Sequence, residues 1–268
     1  MPKIKLDNIL KDGKLMILAC DQGLEHGPQD FNEDNIDPEH IMDLALEGGY
    51  TAVAIQAGVA EKYYGLHYKD VPLIVKLNGK TSYKHGDPLS RQHTSVEHAV
   101  RLGAAAVGYT IYLGSEHEQE QFVEFGRIVE QAHSYGLPVV LWNYPRGKAV
   151  EDELATDTIA YGTRVALELG ADVVKLKYNG DKEGFRWVLK NAGRAKVVIS
   201  GGPLRDEREF LQGLWEVMDE GCHGIAVGRN AWQHPKPFSM TRAMKDIIFD
   251  GKSVDDAMSR FGHEHHNL

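Results

Sequence analysis

The sequence has 268 residues, of which 42% are hydrophobic and 26% are charged, and its formal net charge is −9 at pH 7. The acidic balance, with no basic run, argues against nucleic acid or an anionic membrane as the main partner. Two cysteines without CxxC spacing predict a reducing compartment and no disulfide framework. Neither an apolar signal segment nor a run of roughly 20 apolar residues is present, so we expect a cytoplasmic protein.

One unit recurs along the chain, namely a short apolar and β-branched run, a loop and an amphipathic helix. The predicted strands are residues 15–21, 51–57, 72–78, 105–112, 138–144, 171–177, 196–201 and 224–228. Helical patterns cover residues 38–47, 95–102, 116–135, 157–169, 181–192 and 206–220. Several of these helices are followed by a glycine immediately before the next strand, which is typical of a helix C-cap.

Strands that alternate with helices predict a parallel sheet. Eight repeats in a chain of this length favour a closed (β/α)8 barrel over an open doubly wound sheet, which is the alternative. No low-complexity linker interrupts the pattern. We therefore expect a single domain spanning residues 1–268.

The sixth predicted strand contains two lysines inside an otherwise apolar run, Lys175 and Lys177. Because side chains alternate between the faces of a strand, both lysines share a face with Val173. A desolvated lysine loses its proton more easily and becomes a nucleophile that can form a Schiff base with a carbonyl. A structural ion pair, or lysines that extend to solvent, is the competing interpretation.

The active site of such a barrel lies at the carboxyl ends of its strands. Asp21 by itself is compatible with a turn or helix cap, and Tyr144 by itself with a packed aromatic ring. Both residues follow strands, so they would meet at the same end of the barrel. This favours a polar site built on an apolar scaffold. The polar strand ends include Asp21, Gln56, residues 76–81, Tyr112, residues 142–147, Lys175, Ser200 and Arg229.

The last two strand ends are rich in glycine and predict a phosphate site. Loops after strands seven and eight often bind phosphate through backbone N–H groups in this fold. Glycines allow the backbone to approach the oxygens, a serine hydroxyl can donate, and an arginine neutralises charge. The alternative is two ordinary strand-to-helix turns. The residues concerned are Ser200, Gly201, Gly202, Gly228 and Arg229.

An amine nucleophile, an acid and a phosphate site together indicate a reaction on a phosphorylated ketose. We expect Lys175 to attack the ketone, and Tyr144 and Asp21 to transfer protons. Parity does not distinguish Lys175 from Lys177, but Lys175 lies deeper and its pKa should fall further. Lys177 is expected to keep its charge near the rim and to lower the pKa of Lys175.

Seven segments of the chain carry a resemblance to a known family. They are residues 18–28, 76–81, 108–112, 142–147, 171–175, 200–203 and 224–230. Together they resemble the archaeal-type class I fructose-bisphosphate aldolases, a Schiff-base (β/α)8 family. One departure is Gln22, where relatives often carry histidine, and little effect is expected because Asp21 is retained.

The resemblance implies reversible cleavage of fructose 1,6-bisphosphate, without cofactor or metal, in a ring-built homo-oligomer, a decamer. It implies that Lys175 forms the imine, that Tyr144 donates or accepts a proton, and that Asp21 is the first-strand aspartate of the site. Trp142 would line the site. The implied substrate and phosphate contacts are Ser200, Gly201, Gly202, Gly228, Arg229, Lys80 and His26.

Three alternatives remain open from the sequence. Similar chains act as 2-amino-3,7-dideoxy-D-threo-hept-6-ulosonate synthases or as other phosphosugar aldolases or transaldolases, although Trp142 beside Tyr144 favours the fructose-bisphosphate branch by resemblance. A barrel that binds a phosphosugar without catalysis would use Lys175 only as an ion-pair partner. A metal-dependent mechanism would use some of the 13 histidines, but the histidine-rich residues 261–266 form a tail without a strand scaffold.

Overall fold

The computed structural model describes residues 2–65 and 68–261. Eight parallel strands form a closed barrel in chain order, and the last strand pairs with the first. This closure confirms the predicted barrel and excludes the open sheet. The strands are β1 (Leu15–Ala19), β2 (Ala52–Gln56), β3 (Leu73–Lys76), β4 (Ala106–Leu113), β5 (Val139–Pro145), β6 (Val173–Leu176), β7 (Lys196–Ser200) and β8 (Gly224–Val227).

Helices surround the barrel, and the six predicted ones are present with ends within about two residues of those expected. The hydrophobic pattern did not predict α1, α3 or α9 to α11. No helix of the described ranges is long and apolar enough to cross a membrane. The helices are α1 (Gln22–His26), α2 (Pro38–Gly48), α3 (Ala57–Tyr63), α4 (Val96–Arg101), α5 (Glu118–Ser134), α6 (Thr156–Glu168), α7 (Lys182–Asn191), α8 (Glu207–Asp219), α9 (Arg229–Trp232), α10 (Pro237–Ile248) and α11 (Val254–Ser259).

Local chemistry sets where these helices begin and end. Asp206 caps α8, because its side chain accepts hydrogen bonds from the backbone N–H groups of Arg208 and Glu209. At the other end of a helix, Gly170 has a φ of +90°, which lets the chain leave α6 and turn directly into β6. The turn at Gly170 thus leads directly into the strand that contains Lys175.

Two apolar cores hold the barrel, one inside it and one between strands and helices. Val173 belongs to the inner core, whereas Val174 and Leu176 of the same strand belong to the outer core. The predicted alternation along β6 is therefore confirmed. By the same alternation Lys175, which is 4% exposed, projects into the barrel at its carboxyl end.

Candidate active site

The carboxyl ends of four strands bring together four side chains that are distant in the sequence. Asp21 follows β1, Lys76 ends β3, Trp142 lies in β5 and Lys175 lies in β6. Lys76 is fully buried, and the other three are at most 5% exposed. Two amines, a carboxylate and an indole thus share a region from which water is largely excluded.

The amine of Lys175 is the most perturbed base of this group. Its backbone pairs with that of Trp142 across β5 and β6, and its Nζ lies 5.1 Å from the centroid of the indole. Burial lowers the pKa of Lys175 from 10.5 to about 8; the carboxylate of Asp21 opposes this, while Lys76 and Arg229 lower it further. About a tenth of the amine is therefore uncharged at pH 7, far more than for an exposed lysine.

Lys177 lies near the rim, as expected, but the expected lowering of the pKa of Lys175 comes from other residues. This residue lies just beyond the end of β6, and its Nζ donates a 2.6 Å hydrogen bond to Glu153 Oε1. The positive neighbours that lower the pKa of Lys175 are Lys76 and Arg229. Strand parity fixes only the face on which Lys177 lies, and its ammonium is paired with the acidic Glu153 on the neighbouring loop.

Lys76 lies between two carboxyl groups. Its Nζ is 3.2 Å from Asp21 Oδ2 and 3.8 Å from Glu25 Oε1. Burial would raise the pKa of Asp21, but Lys76 and then Lys175 outweigh it and hold this pKa below its usual value. Burial raises the pKa of Glu25 above its usual value in spite of the opposing charge of Lys76. Asp21 is thus held as an anion, while Glu25 takes up a proton more readily.

The indole of Trp142 reaches the two amines because a glycine faces it from β4. A Cβ on Gly108 would lie 2.6 Å from Cζ3 of Trp142, far inside van der Waals contact. With hydrogen in that place, the ring lies across the barrel and its centroid is 5.2 Å from Nζ of Lys76. An aromatic face at this distance attracts an ammonium group.

Tyr144 lies two residues beyond Trp142 on the same strand and is half-buried. Its ring stacks on Tyr112 with centroids 6.4 Å apart, and the guanidinium of Arg146 is 5.7 Å from its ring centroid. Burial raises the pKa of Tyr144 well above 10, and the charges of Asp21 and Glu25 raise it further. The phenol is consequently protonated at neutral pH and acts first as a hydrogen-bond donor.

The two glycine-rich loops after β7 and β8 are tied together by one buried side chain. The amide of Asn230 donates to the carbonyl oxygens of Gly201 at 2.9 Å and Pro203 at 2.7 Å, and accepts from Arg205 N at 3.0 Å. The predicted phosphate residues Ser200, Gly201, Gly202, Gly228 and Arg229 therefore lie in one place. Nε of Arg229 is buried and has no hydrogen-bond partner in residues 2–65 and 68–261.

The remaining predicted contacts lie at the rim. His26, at the end of α1, makes a 2.5 Å contact from Nδ1 to Oδ2 of Asp30. Lys80 is half-buried in the loop after β3, close enough for its charge to lower the pKa of Glu25. Gln22, the departure from the family pattern, packs its amide against Gly228 of the loop after β8.

A protein-family model described as DeoC/LacD family aldolase matches residues 15–234. The match contains all eight strands and every side chain named above. The chain belongs to the DeoC/LacD family of aldolases. Membership of an aldolase family, which the sequence motifs predicted, is thereby confirmed.

Curated relatives of this aldolase match more than nine-tenths of its length. It is 48% identical to the Fructose-bisphosphate aldolase class 1 of Thermoproteus tenax over 92% of this chain and 94% of the relative. A protein of the same name from Halobacterium salinarum is 42% identical over 94% and 97% of the two chains. The 2-amino-3,7-dideoxy-D-threo-hept-6-ulosonate synthase of that organism is 33% identical over 96% and 95%.

A solved structure gives the same result in three dimensions. An archaeal fructose-1,6-bisphosphate aldolase, described with its catalytic lysine covalently bound to the carbinolamine intermediate of the substrate, is 48% identical to this aldolase. The two superpose with a TM-score of 0.85 over 88% of this chain and 94% of the other. A solved member of the family thus carries its substrate on a lysine.

Sequence reasoning missed two members of the cluster in this aldolase. Lys76 is a lysine inside the apolar run Leu73–Lys76, the same signal that singled out Lys175, but it was treated only as part of a strand end. No such signal marked Glu25, because α1 has only five residues and its sequence is typical of an exposed segment. Glu25 reaches Lys76 only because this short helix folds back over the carboxyl end of the barrel.

Within residues 2–65 and 68–261, the aldolase has no group of three or more His, Cys, Asp or Glu side chains arranged to hold a metal ion. The histidine-rich segment singled out above begins at Phe261. The rest of it, residues 262–266, lies outside the described residues.

Proposed function

We propose that this aldolase cleaves fructose 1,6-bisphosphate reversibly to dihydroxyacetone phosphate and glyceraldehyde 3-phosphate through a Schiff base on Lys175. The observation that carries the proposal is the buried amine of Lys175, whose pKa burial lowers to about 8 beside the carboxylate of Asp21. Most of an exposed lysine is protonated at neutral pH and lacks the lone pair needed for attack on a ketone. The names of the relatives support the choice of substrate.

The first half of the reaction builds a cation next to an anion. The amine of Lys175 adds to C2 of the open-chain ketose, and loss of water from the carbinolamine leaves a protonated imine. Asp21, held as a carboxylate by Lys76, stabilises this positive charge inside a site of low dielectric. The indole face of Trp142, 5.1 Å from Nζ of Lys175, favours the same cation.

The second half breaks the bond between C3 and C4. A base removes the proton of the C4 hydroxyl, the C4 aldehyde leaves, and the electron pair of the bond moves into the imine to form an enamine. Protonation of the enamine at C3 and hydrolysis then release dihydroxyacetone phosphate. Tyr144, protonated at rest, and the carboxylate of Asp21 are the groups proposed to hold and transfer these protons.

The phosphate contacts are proposed to hold the sugar so that its ketone lies next to the amine of Lys175. One phosphate is proposed to bind the paired loops through Ser200, the backbone of Gly201, Gly202 and Gly228, and the guanidinium of Arg229. The unpartnered Nε of Arg229 supports this assignment, since a buried donor without a partner is costly. Lys80 and His26 at the rim are proposed as further substrate contacts.

No metal or cofactor enters the proposed reaction, because the protonated imine itself accepts the electron pair. Activity should therefore persist after dialysis against EDTA, and a full loss that zinc restores would contradict the proposal. We also propose a homo-oligomer, a decamer, on the basis of the family resemblance. Light scattering coupled to size-exclusion chromatography would measure its mass.

Reductive trapping tests the function directly. Wild-type protein is treated with borohydride in the presence of fructose 1,6-bisphosphate, and the modified peptide is located by mass spectrometry. We expect an adduct on Lys175 that Lys175→Ala abolishes and Lys177→Ala retains. Absence of an adduct, or an undiminished adduct in Lys175→Ala, would refute the Schiff base and leave a barrel that only binds phosphosugars.

The substrate is tested by comparing cleavage rates. Fructose 1,6-bisphosphate is expected to be cleaved faster than fructose 1-phosphate or precursors of the deoxyheptulosonate. A preference for the last of these would assign the chain to the activity of its synthase relative.

A further inference from the structure

Lys76 has two acidic neighbours but only one positive charge. The distances from its Nζ are 3.2 Å to Asp21 Oδ2 and 3.8 Å to Glu25 Oε1. Lys76 and Asp21 are buried, and the side chain of Glu25 is 21% exposed. The shorter contact neutralises Asp21. A negative charge on Glu25 therefore needs further compensation, which Lys80 at the rim gives in part and a cation at Lys175 completes.

The position of Glu25 is built into the packing of α1. Leu24, its neighbour in the helix, lies so close to the backbone of Gly79 that a Cβ there would overlap the leucine side chain. This contact holds α1 against the loop that follows β3, immediately after Lys76. Glu25 is thereby held at the barrel mouth, where it reaches Lys76 while part of its side chain stays exposed.

We propose that Glu25 is the proton carrier of the reaction, a carboxyl group that is ionised whenever the nitrogen of Lys175 carries a positive charge and protonated whenever that nitrogen is neutral. The proposal rests on the proposed Schiff-base function. It assigns Glu25 a positioning and proton-storage role that acts through Tyr144 and water. The buried cluster of Lys76, Asp21, Glu25 and the Lys175 nitrogen then keeps zero net charge throughout.

Each step balances under this assignment. In the resting site a proton moves from the ammonium of Lys175 to Glu25, which frees the amine for attack. The neutral carbinolamine then loses its hydroxyl group as water with the proton of Glu25, and the nitrogen lone pair forms the iminium. In cleavage the C4 hydroxyl proton returns to Glu25 while the C3–C4 electron pair forms the neutral enamine. Protonation at C3 again takes the proton from Glu25.

The other acids of the site are less suited to this role. Asp21 is held ionised by Lys76, with its pKa below the usual value, so it can pass a proton on but does not store one. The pKa of Tyr144 lies well above 10, so its phenol relays a proton but does not remain ionised. Burial moves the pKa of Glu25 upward, towards the working pH, where a general acid and base is most effective.

The charged groups around Glu25 come from four elements. They are Lys76 of β3, Asp21 after β1, Lys80 in the loop after β3 and His26 on α1 itself. The charge of Glu25 in turn raises the pKa of Tyr112 on β4 and Tyr144 on β5. The contribution of His26 to the pH profile must be separated from that of Glu25.

The test is the pH dependence of kcat/KM for cleavage in wild type, Glu25→Gln and Glu25→Asp. Because the active form shares one proton between Glu25 and Lys175, wild type should give a bell-shaped profile with an alkaline limb near 8. In Glu25→Gln the bell should become a single rise to a plateau, since only the free amine is active. Its value at pH 7 should be about a hundredfold lower. Glu25→Asp should restore both limbs.

Controls separate this role from a structural one. Glu33→Gln, the same change at an exposed position on the following loop, should leave the profile unchanged. Glu25→Met replaces Glu25→Gln if the latter does not fold, and should also lose the bell. An unchanged bell in folded Glu25→Gln or Glu25→Met overturns the proposal, as does a bell that is lost in His26→Gln instead. Failure of wild type to form the borohydride adduct would refute the Schiff base itself, independently of these profiles.

Discussion

Nζ of Lys76 lies 3.2 Å from Oδ2 of Asp21, and this ion pair is almost completely removed from solvent. A buried ion pair adds little stability compared with apolar residues in the same place. Removal of one partner, however, leaves the other charge uncompensated. The pair has a functional consequence in this aldolase. It fixes a carboxylate beside Lys175 and places a second positive charge close enough to lower the pKa of that amine.

Lys76→Met should destabilise the protein by about 3–5 kcal/mol, because it leaves Asp21 buried without its partner. It should also shift the pH dependence of borohydride trapping upward, since Lys76 no longer lowers the pKa of Lys175. Urea unfolding and trapping rates between pH 6 and 10 measure the two effects. The double variant Lys76→Met with Asp21→Asn should be less destabilised than the sum of the single changes, and strict additivity would contradict the coupling.

Lys175→Met should stabilise the protein while abolishing activity. Between about pH 8 and 10.5 the unfolded chain binds a proton at Lys175 that the folded chain lacks, so wild-type stability rises with pH across this window. Below pH 8 the full penalty applies, and the variant should gain about 3 kcal/mol at pH 6. The gain should shrink as the pH approaches 10.5.

Urea unfolding at a fixed protein concentration provides the measurement, with Lys177→Met as the matched control. That lysine pairs with the partly exposed Glu153, so its loss should cost about 0–1 kcal/mol. A Lys175→Met variant less stable than wild type at pH 6 would mean that the amine is not strained by burial.

Gly108→Ala should displace the indole of Trp142, because the added Cβ would lie 2.6 Å from Cζ3 of the ring. We expect a loss of about 1–3 kcal/mol in stability and a fall in kcat. Gly126→Ala in α5, where a Cβ meets nothing within 4 Å, is the control and should be neutral or slightly stabilising. Thermal unfolding and steady-state rates decide, and equal behaviour of the two variants would exclude close packing at Gly108.

Asn230→Ala should weaken substrate binding more than turnover. The buried amide holds the two phosphate loops in register through Gly201 and Pro203, and its loss leaves their carbonyl oxygens unpaired, at about 1–3 kcal/mol. KM for fructose 1,6-bisphosphate should rise about tenfold or more with a smaller change in kcat. Asn191→Ala, which loses only a hydrogen bond within α7, should leave KM unchanged. A fall in kcat without a rise in KM would mean that the loops act in turnover rather than in substrate binding.

The barrel was predictable because its signal is local and repeated. Each strand is a short apolar run, and each long helix has an amphipathic stripe, so the strand and helix ends were found within about two residues. The short helices were not predicted, because α1 and α9 have five and four residues, too few to show a periodic pattern. α10 was also missed, although its apolar stripe is at least as marked as those of α2, α5 and α6, and no local feature of its sequence explains the omission.

Candidate site residues were found where one residue violated the chemistry of its element. Lys175 stands out in an apolar strand, and Asp21 and Tyr144 stand at strand ends. Lys177 shares the parity of Lys175 and lies near the rim as expected, but its ion pair with Glu153 was not predicted. The residue that pairs with Lys177 lies outside β6, so the spacing of residues within β6 does not predict it.

By itself, the sequence determined the eight-fold alternation, the face on which Lys175 lies and the family to which the chain belongs. These follow from periodicities of two and 3.6 residues and from short motifs, which a linear chain displays directly. Tertiary structure alone decided that Lys76 joins Asp21 and Glu25, that Trp142 occupies the space left by Gly108, and that Asn230 joins two loops. Charge compensation and close packing depend on distances between residues far apart in the chain, and only the closed barrel sets those distances.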